Sequence, residues 1–169
     1  MKAYLAWPVK LEACPTLKDL HITLKYLGSI EPIVARICLR DKLASAFGPA
    51  PLVAEIEERL KFSELTFTVA PNLRWKPESF NPVTRVLVIE GYDARLRETQ
   101  KDVAGLRKDD YPNWRPHITL PGHFWDVISR EQLTLGECGL SVGPLTLFID
   151  KKPHATFVRQ ETGVVSCLT

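Results

Sequence analysis

The tetrapeptide His21-Ile22-Thr23-Leu24 returns letter for letter as His117-Ile118-Thr119-Leu120, one copy in each half of a 169-residue chain. Both copies alternate polar and apolar residues, the pattern of a strand with one wet face and one buried face. Successive side chains of a strand point to opposite faces. His21, Thr23 and Lys25 are therefore expected on one face, with Ile22, Leu24 and Tyr26 on the other. In the second copy Arg115, His117 and Thr119 share a face, opposite Ile118 and Leu120. A fold that satisfies both copies needs two equivalent strands in two similar halves.

The remaining pattern fills in those halves. Residues 2–8 read as a strand ended by Pro8, 9–19 as a loop and 20–27 as the first motif strand, stopped at Gly28-Ser29. Pro32 suits the first turn of a helix over 31–47, with Ile33, Ile37, Leu39 and Leu43 on its apolar face. The Gly48-Pro49-Ala50-Pro51 run ends that helix. Residues 52–69 read as one or two strands, 70–82, with Pro71, Pro77 and Pro82, as an irregular connection, and 84–90 as a strong strand. A charged amphipathic helix follows over 92–108, with Leu96, Val103 and Leu106 inward. Residues 114–121 form the second motif strand and 126–134 a short helix. Segments 146–149 and 155–158 close as a hairpin.

The order is roughly β-β-α-β-β-α-β-β-β, with no low-complexity linker. It predicts a single α+β domain over 1–169 made of two similar antiparallel-sheet lobes. Outer helices would leave the inner sheet faces to form a central groove.

A net charge of +2 makes no case for long nucleic acid, and the 45% hydrophobic and 25% charged residues suit a globular domain with a substantial core. Cys14, Cys38, Cys138 and Cys167 are scattered, which favours reduced thiols over a disulfide framework and offers no close ligand pair for zinc. No segment has the apolar length of a membrane span or a signal peptide, so a cytoplasmic monomer without a membrane partner is expected.

If the two halves face each other, two imidazoles and two hydroxyls converge beside Lys25 and Arg115. Imidazole titrates near neutral pH, so one ring can accept a proton while the other donates one. Thr23 and Thr119 can donate hydrogen bonds to developing negative charge, and Arg115 can hold a phosphate through two parallel bonds. That set suits a phosphodiester and needs neither metal nor cofactor. A single His-Ile-Thr-Leu is usually only a strand with a polar face. Two copies with the same polar identities ask for more than strand duplication.

The two segments resemble the LigT-like 2H phosphoesterases, whose mark is a pair of His-x-Thr/Ser-x motifs. Leu20-His21-Ile22-Thr23-Leu24-Lys25-Tyr26-Leu27-Gly28 is similar to the family's first strand and closing glycine. Trp114-Arg115-Pro116-His117-Ile118-Thr119-Leu120 carries an aromatic-x-Pro-His run that is also family-like. Tyr4-Leu5-Ala6 and Arg85-Val86-Leu87 look like matching strands. The resemblance implies a bilobal α+β fold and a metal-independent phosphodiesterase in which His21, Thr23, His117 and Thr119 are catalytic. It implies as substrate a nucleotide or RNA end with a cyclic or 2′-5′ phosphodiester. The family includes RNA 2′,3′-cyclic phosphodiesterases, ADP-ribose cyclic phosphate hydrolases and phage enzymes that destroy the cyclic nucleotide alarms of bacterial immunity. Lys25 and Arg115 are assigned to substrate binding from strand geometry alone. The Pro121-Gly122-His123-Phe124-Trp125 segment departs from the basic segment of RNA-directed members and tilts the reading toward a small nucleotide.

Two other readings fit the residues: a groove that holds cyclic nucleotides or RNA ends without cleaving them, and a structural duplicate without activity. His123 and His154 read as loop and surface residues, and Lys151-Lys152 as a solvated turn. Trp7, Trp75, Trp114, Trp125, Tyr4 and Phe157 are candidates for stacking a nucleobase, each more simply explained by packing.

Overall fold

In a computed structural model of the chain, the two motif strands lie next to each other in the middle of one antiparallel sheet. The structure describes residues 1–12, 14–29, 49–63, 65–67, 69–107, 113–122, 140–160 and 165–168. Among them are strands β1 (Lys2–Leu11), β2 (His21–Ser29), β3 (Val69–Ser79), β4 (Arg85–Tyr92), β5 (His117–Thr119), β6 (Leu140–Val142), β7 (Thr146–Ile149), β8 (Lys152–Arg159) and β9 (Val165–Leu168). The helices are α1 (Pro49–Leu60) and α2 (Arg95–Asp102). The sheet runs β3-β4-β5-β2-β1-β7-β8-β9, with β6 also paired to β1. This is an α+β fold with a large antiparallel sheet and two helices. The helices expected over 31–47 and 126–134 lie outside the described residues.

The two halves meet edge to edge. β2 pairs with β1 in one half and β5 with β4 in the other, and β2 and β5 then pair with each other. Within the described residues the halves thus share one sheet through backbone bonding, where sequence pattern had suggested two facing inner sheets. Ile22 and Ile118 are fully buried on the core face. They join Trp7, Leu24, Leu87 and Phe157, together with Leu52 and Ile56 of α1 and Leu96 of α2, in one cluster. Each such fully buried side chain stabilises the fold by roughly 1.5–3 kcal/mol.

Three sequence expectations change here. Residues 49–60 are helical, although 52–69 read as strand and Pro49-Ala50-Pro51 as a stop. Proline is tolerated in a first turn, where its missing donor has no partner. Leu52, Ile56 and Leu60, all with no exposure, form a four-residue repeat on one helix face. Residues 69–79 form β3 although 70–82 read as irregular. β3 is an edge strand of the sheet among the described residues, where Pro71 and Pro77 need not donate to a second neighbour. β1 runs through Pro8 to Leu11. Pro8 sits where the outer partner of β1 changes from β7, which ends at Ala6, to β6, which begins at Val9. Its carbonyl accepts the Gly143 amide there at 2.8 Å, and its missing donor falls in the gap.

The helix expected over 92–108 appears as the shorter α2, with Leu96 fully buried inside it and Val103 and Leu106 fully buried in the turns that follow it. Asp93 accepts the Arg95 amide at 2.9 Å and so satisfies one of the helix's orphan donors. Arg59 of α1 donates to the Ala104 carbonyl at 2.9 Å and ties the two helices. The closing hairpin is present as β7 and β8, turning through Asp150 and Lys151 with left-handed φ of 47° and 67°. Among the described residues no helix is long and apolar enough to cross a membrane.

Candidate active site

The site follows from one register. Ile22 pairs with Ile118 in antiparallel sense, so continuing the ladder sets His21 opposite Thr119 and Thr23 opposite His117. Both isoleucines point into the core, and the four polar side chains stand on the other face as a two-by-two block. The histidines occupy one diagonal and the threonines the other. Diagonal neighbours of an antiparallel pair lie roughly 7–8 Å apart at the backbone, within reach of one phosphate from both rings. The block lies across two cross-strand rows: Val88, His117, Thr23 and Ala6, then Val86, Thr119, His21 and Pro8.

Each imidazole is held the same way. His21 Nδ1 lies 3.0 Å from the Asp19 carbonyl, and His117 Nδ1 lies 2.9 Å from the Arg115 carbonyl. A carbonyl only accepts, so Nδ1 is the protonated nitrogen in both neutral rings and donates to the oxygen two residues earlier. That leaves Nε2 as the proton-accepting nitrogen of each neutral ring. Asp19 adopts a left-handed φ of 61° to present its carbonyl, an uncommon conformation for a non-glycine residue. His117 has its pKa lowered, chiefly because burial penalises the charged ring, with further push from the nearby charges of His21 and Arg115. Its bond to the Arg115 carbonyl opposes that shift.

Aromatic rings flank the block. Tyr4 of β1 stacks on His21 with centroids 5.0 Å apart and on Phe148 of β7 at 5.2 Å. Ala6, opposite Thr23, leaves room for that contact. Burial, with the Asp19 carboxylate second, raises the Tyr4 hydroxyl pKa. On the other side Phe80 meets His117 edge to face at 4.7 Å.

Arg115 donates to Glu78 through its two terminal guanidinium nitrogens, the Nη1 contact being 3.3 Å. Glu78 pairs with Val86, which pairs with Thr119, so the ion pair lies on the motif face and reaches from the segment entering β5 to β3 across β4. The hydrogen bond from Arg115 lowers the Glu78 pKa, and the same bond raises that of Arg115. Lys76 Nζ adds a second cation 3.3 Å from Glu78.

Lys25 requires a correction. Ala6 pairs with Thr23 but Leu5 pairs with Lys25, so a bulge at Leu24 breaks the alternation. Lys25 is 4% exposed and stands opposite the fully buried Leu5. It is not brought onto the open face with His21 and Thr23. Tyr26 takes that parity instead, opposite Tyr4. A second register shift follows at Gly28, whose φ of 80° a side chain would resist.

Trp114 and Trp7 have structural work. Trp114 Nε1 donates to the Thr23 carbonyl at 3.0 Å and fastens the approach to β5 onto β2. Trp7 is fully buried and donates to the Leu65 carbonyl at 2.8 Å. Phe157 is 1% exposed in the core, and His154 is exposed on β8. Cys14 and Cys167 are free thiols. The side chains of Trp75, His123 and Trp125, and Cys38 and Cys138, lie outside the described residues.

Phe80, Phe148 and Glu78 escaped the sequence reading. Glu78 and Phe80 lie in or beside the proline-rich stretch that reads as irregular, and strand pairing is what carries them to the motif face. Phe148 has a signal only once β7 is set against β1, where it pairs with Tyr4. No protein-family model matches the chain, and no curated protein matches it significantly.

Proposed function

We propose that the chain is a metal-independent phosphodiesterase of the 2H type, acting on a nucleotide phosphodiester by two-histidine acid–base catalysis. The bilobal family fold around a central groove, a cyclic or 2′-5′ linkage in the substrate and a cytoplasmic setting belong to the same reading. The observation that carries it is the Ile22–Ile118 register, which gathers two His-Thr pairs from distant parts of the chain into one block. The matched Nδ1 bonds, which aim an Nε2 from each ring, support it further.

The burial that lowers the His117 pKa favours its neutral form, so His117 is the base and His21 the acid. His117 Nε2 takes a proton from the attacking water or ribose hydroxyl as its oxygen bonds to phosphorus. The opposite phosphorus–oxygen bond breaks, and His21 Nε2–H gives its proton to the departing oxygen. Thr23 and Thr119, on the other diagonal, donate to the non-bridging oxygens as charge grows there. Arg115 offers a guanidinium for the phosphate in competition with Glu78.

The test is direct. The protein is incubated with EDTA and a panel of RNA 2′,3′-cyclic ends, ADP-ribose cyclic phosphate, 2′-5′ dinucleotides and cyclic oligonucleotides, and products are read by mass spectrometry. Cleavage of at least one member supports the reading. Retention of intact nucleotide without product identifies a binding protein instead.

A further inference from the structure

The aromatic side chains sit outside the His-Thr block on both flanks. On the β1 side the three ring centroids of Tyr4, His21 and Phe148 are 5.0, 5.2 and 6.2 Å apart. Two rings stacked on opposite faces of a third stand at least about 7 Å apart, twice a carbon contact distance of ~3.5 Å. His21 and Phe148 therefore lie on the same face of Tyr4, side by side. Their planes differ by 29°, so Phe148 continues the imidazole surface outward along the sheet. Phe148 is only partly buried.

On the β4 side Phe80 touches His117 at 70° and is 47% exposed at the tip of the β3–β4 hairpin. Val83, in the same turn, is 89% exposed. Asn81 Oδ1 holds the turn by accepting the Val83 and Thr84 amides at 3.0 and 2.7 Å. Each half of the block thus has a flat apolar ring on its outer side, immediately beside a catalytic imidazole.

We infer that Phe148 and Phe80 are two nucleobase rests, and that the phosphodiester taken by the block joins two nucleosides, one on each side. The inference rests on the phosphodiesterase reading above and narrows it. A phosphate closed on a single ribose carries one base and leaves one rest empty. An internucleotide linkage, open or within a cyclic dinucleotide, places a base on either side of the phosphate. Stacking on an aromatic ring tolerates any base, so the rests select for two bases without selecting their identity.

The experiment compares kcat/KM of the full chain on adenosine 2′,3′-cyclic monophosphate with that on 2′-5′ and 3′-5′ adenylyl-adenosine and cyclic di-adenylate. The same comparison is made for Phe80→Ala and Phe148→Leu, which keeps the packing volume and removes the flat ring. The best two-base probe should exceed the one-base probe by about tenfold or more, the scale of one lost stack. At least one variant should lower the two-base to one-base ratio. Equal or better turnover of the cyclic monophosphate overturns the inference and leaves the phosphodiesterase reading standing. So does an equal loss on both kinds of probe in both variants, because rings that only brace the imidazoles slow every substrate alike. No turnover of any of these probes also overturns the inference, and the phosphodiesterase reading falls with it only if the wider panel above is left uncleaved as well.

Discussion

Ile22 and Ile118 are cross-strand partners, each fully buried, and their antiparallel register decides what stands on the opposite face of the sheet. A slip of one residue would send every side chain of one strand to the wrong face. The core and the candidate site are thus set by the same pairing. Ile118→Ala should cost about 2–5 kcal/mol, the usual cost of a large-to-small change in a packed core. Urea unfolding monitored by circular dichroism checks this, and a near-neutral result would show that the pairing is not what fixes the register.

Trp114 is the second tie between the motif strands, through its 3.0 Å bond to the Thr23 carbonyl. Trp114→Phe keeps most of the apolar packing and removes that donor. It should lower stability by about 0.5–1.5 kcal/mol, the net value of one hydrogen bond, with more if the carbonyl stays dry. Equilibrium unfolding midpoints at constant m-value report the difference.

Although β3, β6 and β9 were not legible, β1, β2, β4, β5, β7 and β8 were, because alternation survives wherever a strand has one wet face. It failed at Lys25 because a bulge is set by the partner strand, here between Leu5 and Ala6, and leaves no mark on a single strand's pattern. It failed over Pro49–Leu60 because Gly48-Pro49-Ala50-Pro51 reads as a helix stop and 52–69 as strand, when prolines at a helix start are permitted and Leu52, Ile56 and Leu60 repeat every four residues. The His-Thr pairs were visible from identity alone. Phe148, Phe80 and Glu78 were not, because they join the site through sheet order.

The His117 ring titrates below an ordinary imidazole, chiefly through burial. As the proposed base it must be neutral, so kcat/KM should rise with pH through a midpoint below about 6.5, the value of an unperturbed histidine. The alkaline limb should mark loss of the acid's proton and close a bell-shaped profile. The same shift bears on stability. With the folded pKa depressed, the contribution is present above the unfolded value and is lost as pH falls through the folded one. His117→Asn should therefore flatten the acid side of the stability curve. An acid limb above 6.5 would remove His117 from the role of base.

Arg115 is engaged by Glu78, so in the proposed reaction a substrate phosphate would have to compete for its guanidinium. Glu78→Gln weakens that partner. It should lower KM several-fold with little change in kcat, while Arg115→Ala should raise KM. Both residues are solvent-accessible, so stability should move little in either variant. Steady-state kinetics at fixed ionic strength separate the two effects; a raised KM in Glu78→Gln would mean the carboxylate positions the guanidinium for substrate.

In the proposed reaction two imidazoles share the proton transfers of one phosphodiester cleavage. Its most direct test is kcat/KM of His21→Ala and His117→Ala on the best-cleaved probe, with folding confirmed by circular dichroism. Each variant should lose about 10²–10⁴-fold, the usual contribution of a positioned acid or base. Full activity in either folded variant would mean that the two imidazoles do not share the proton transfers.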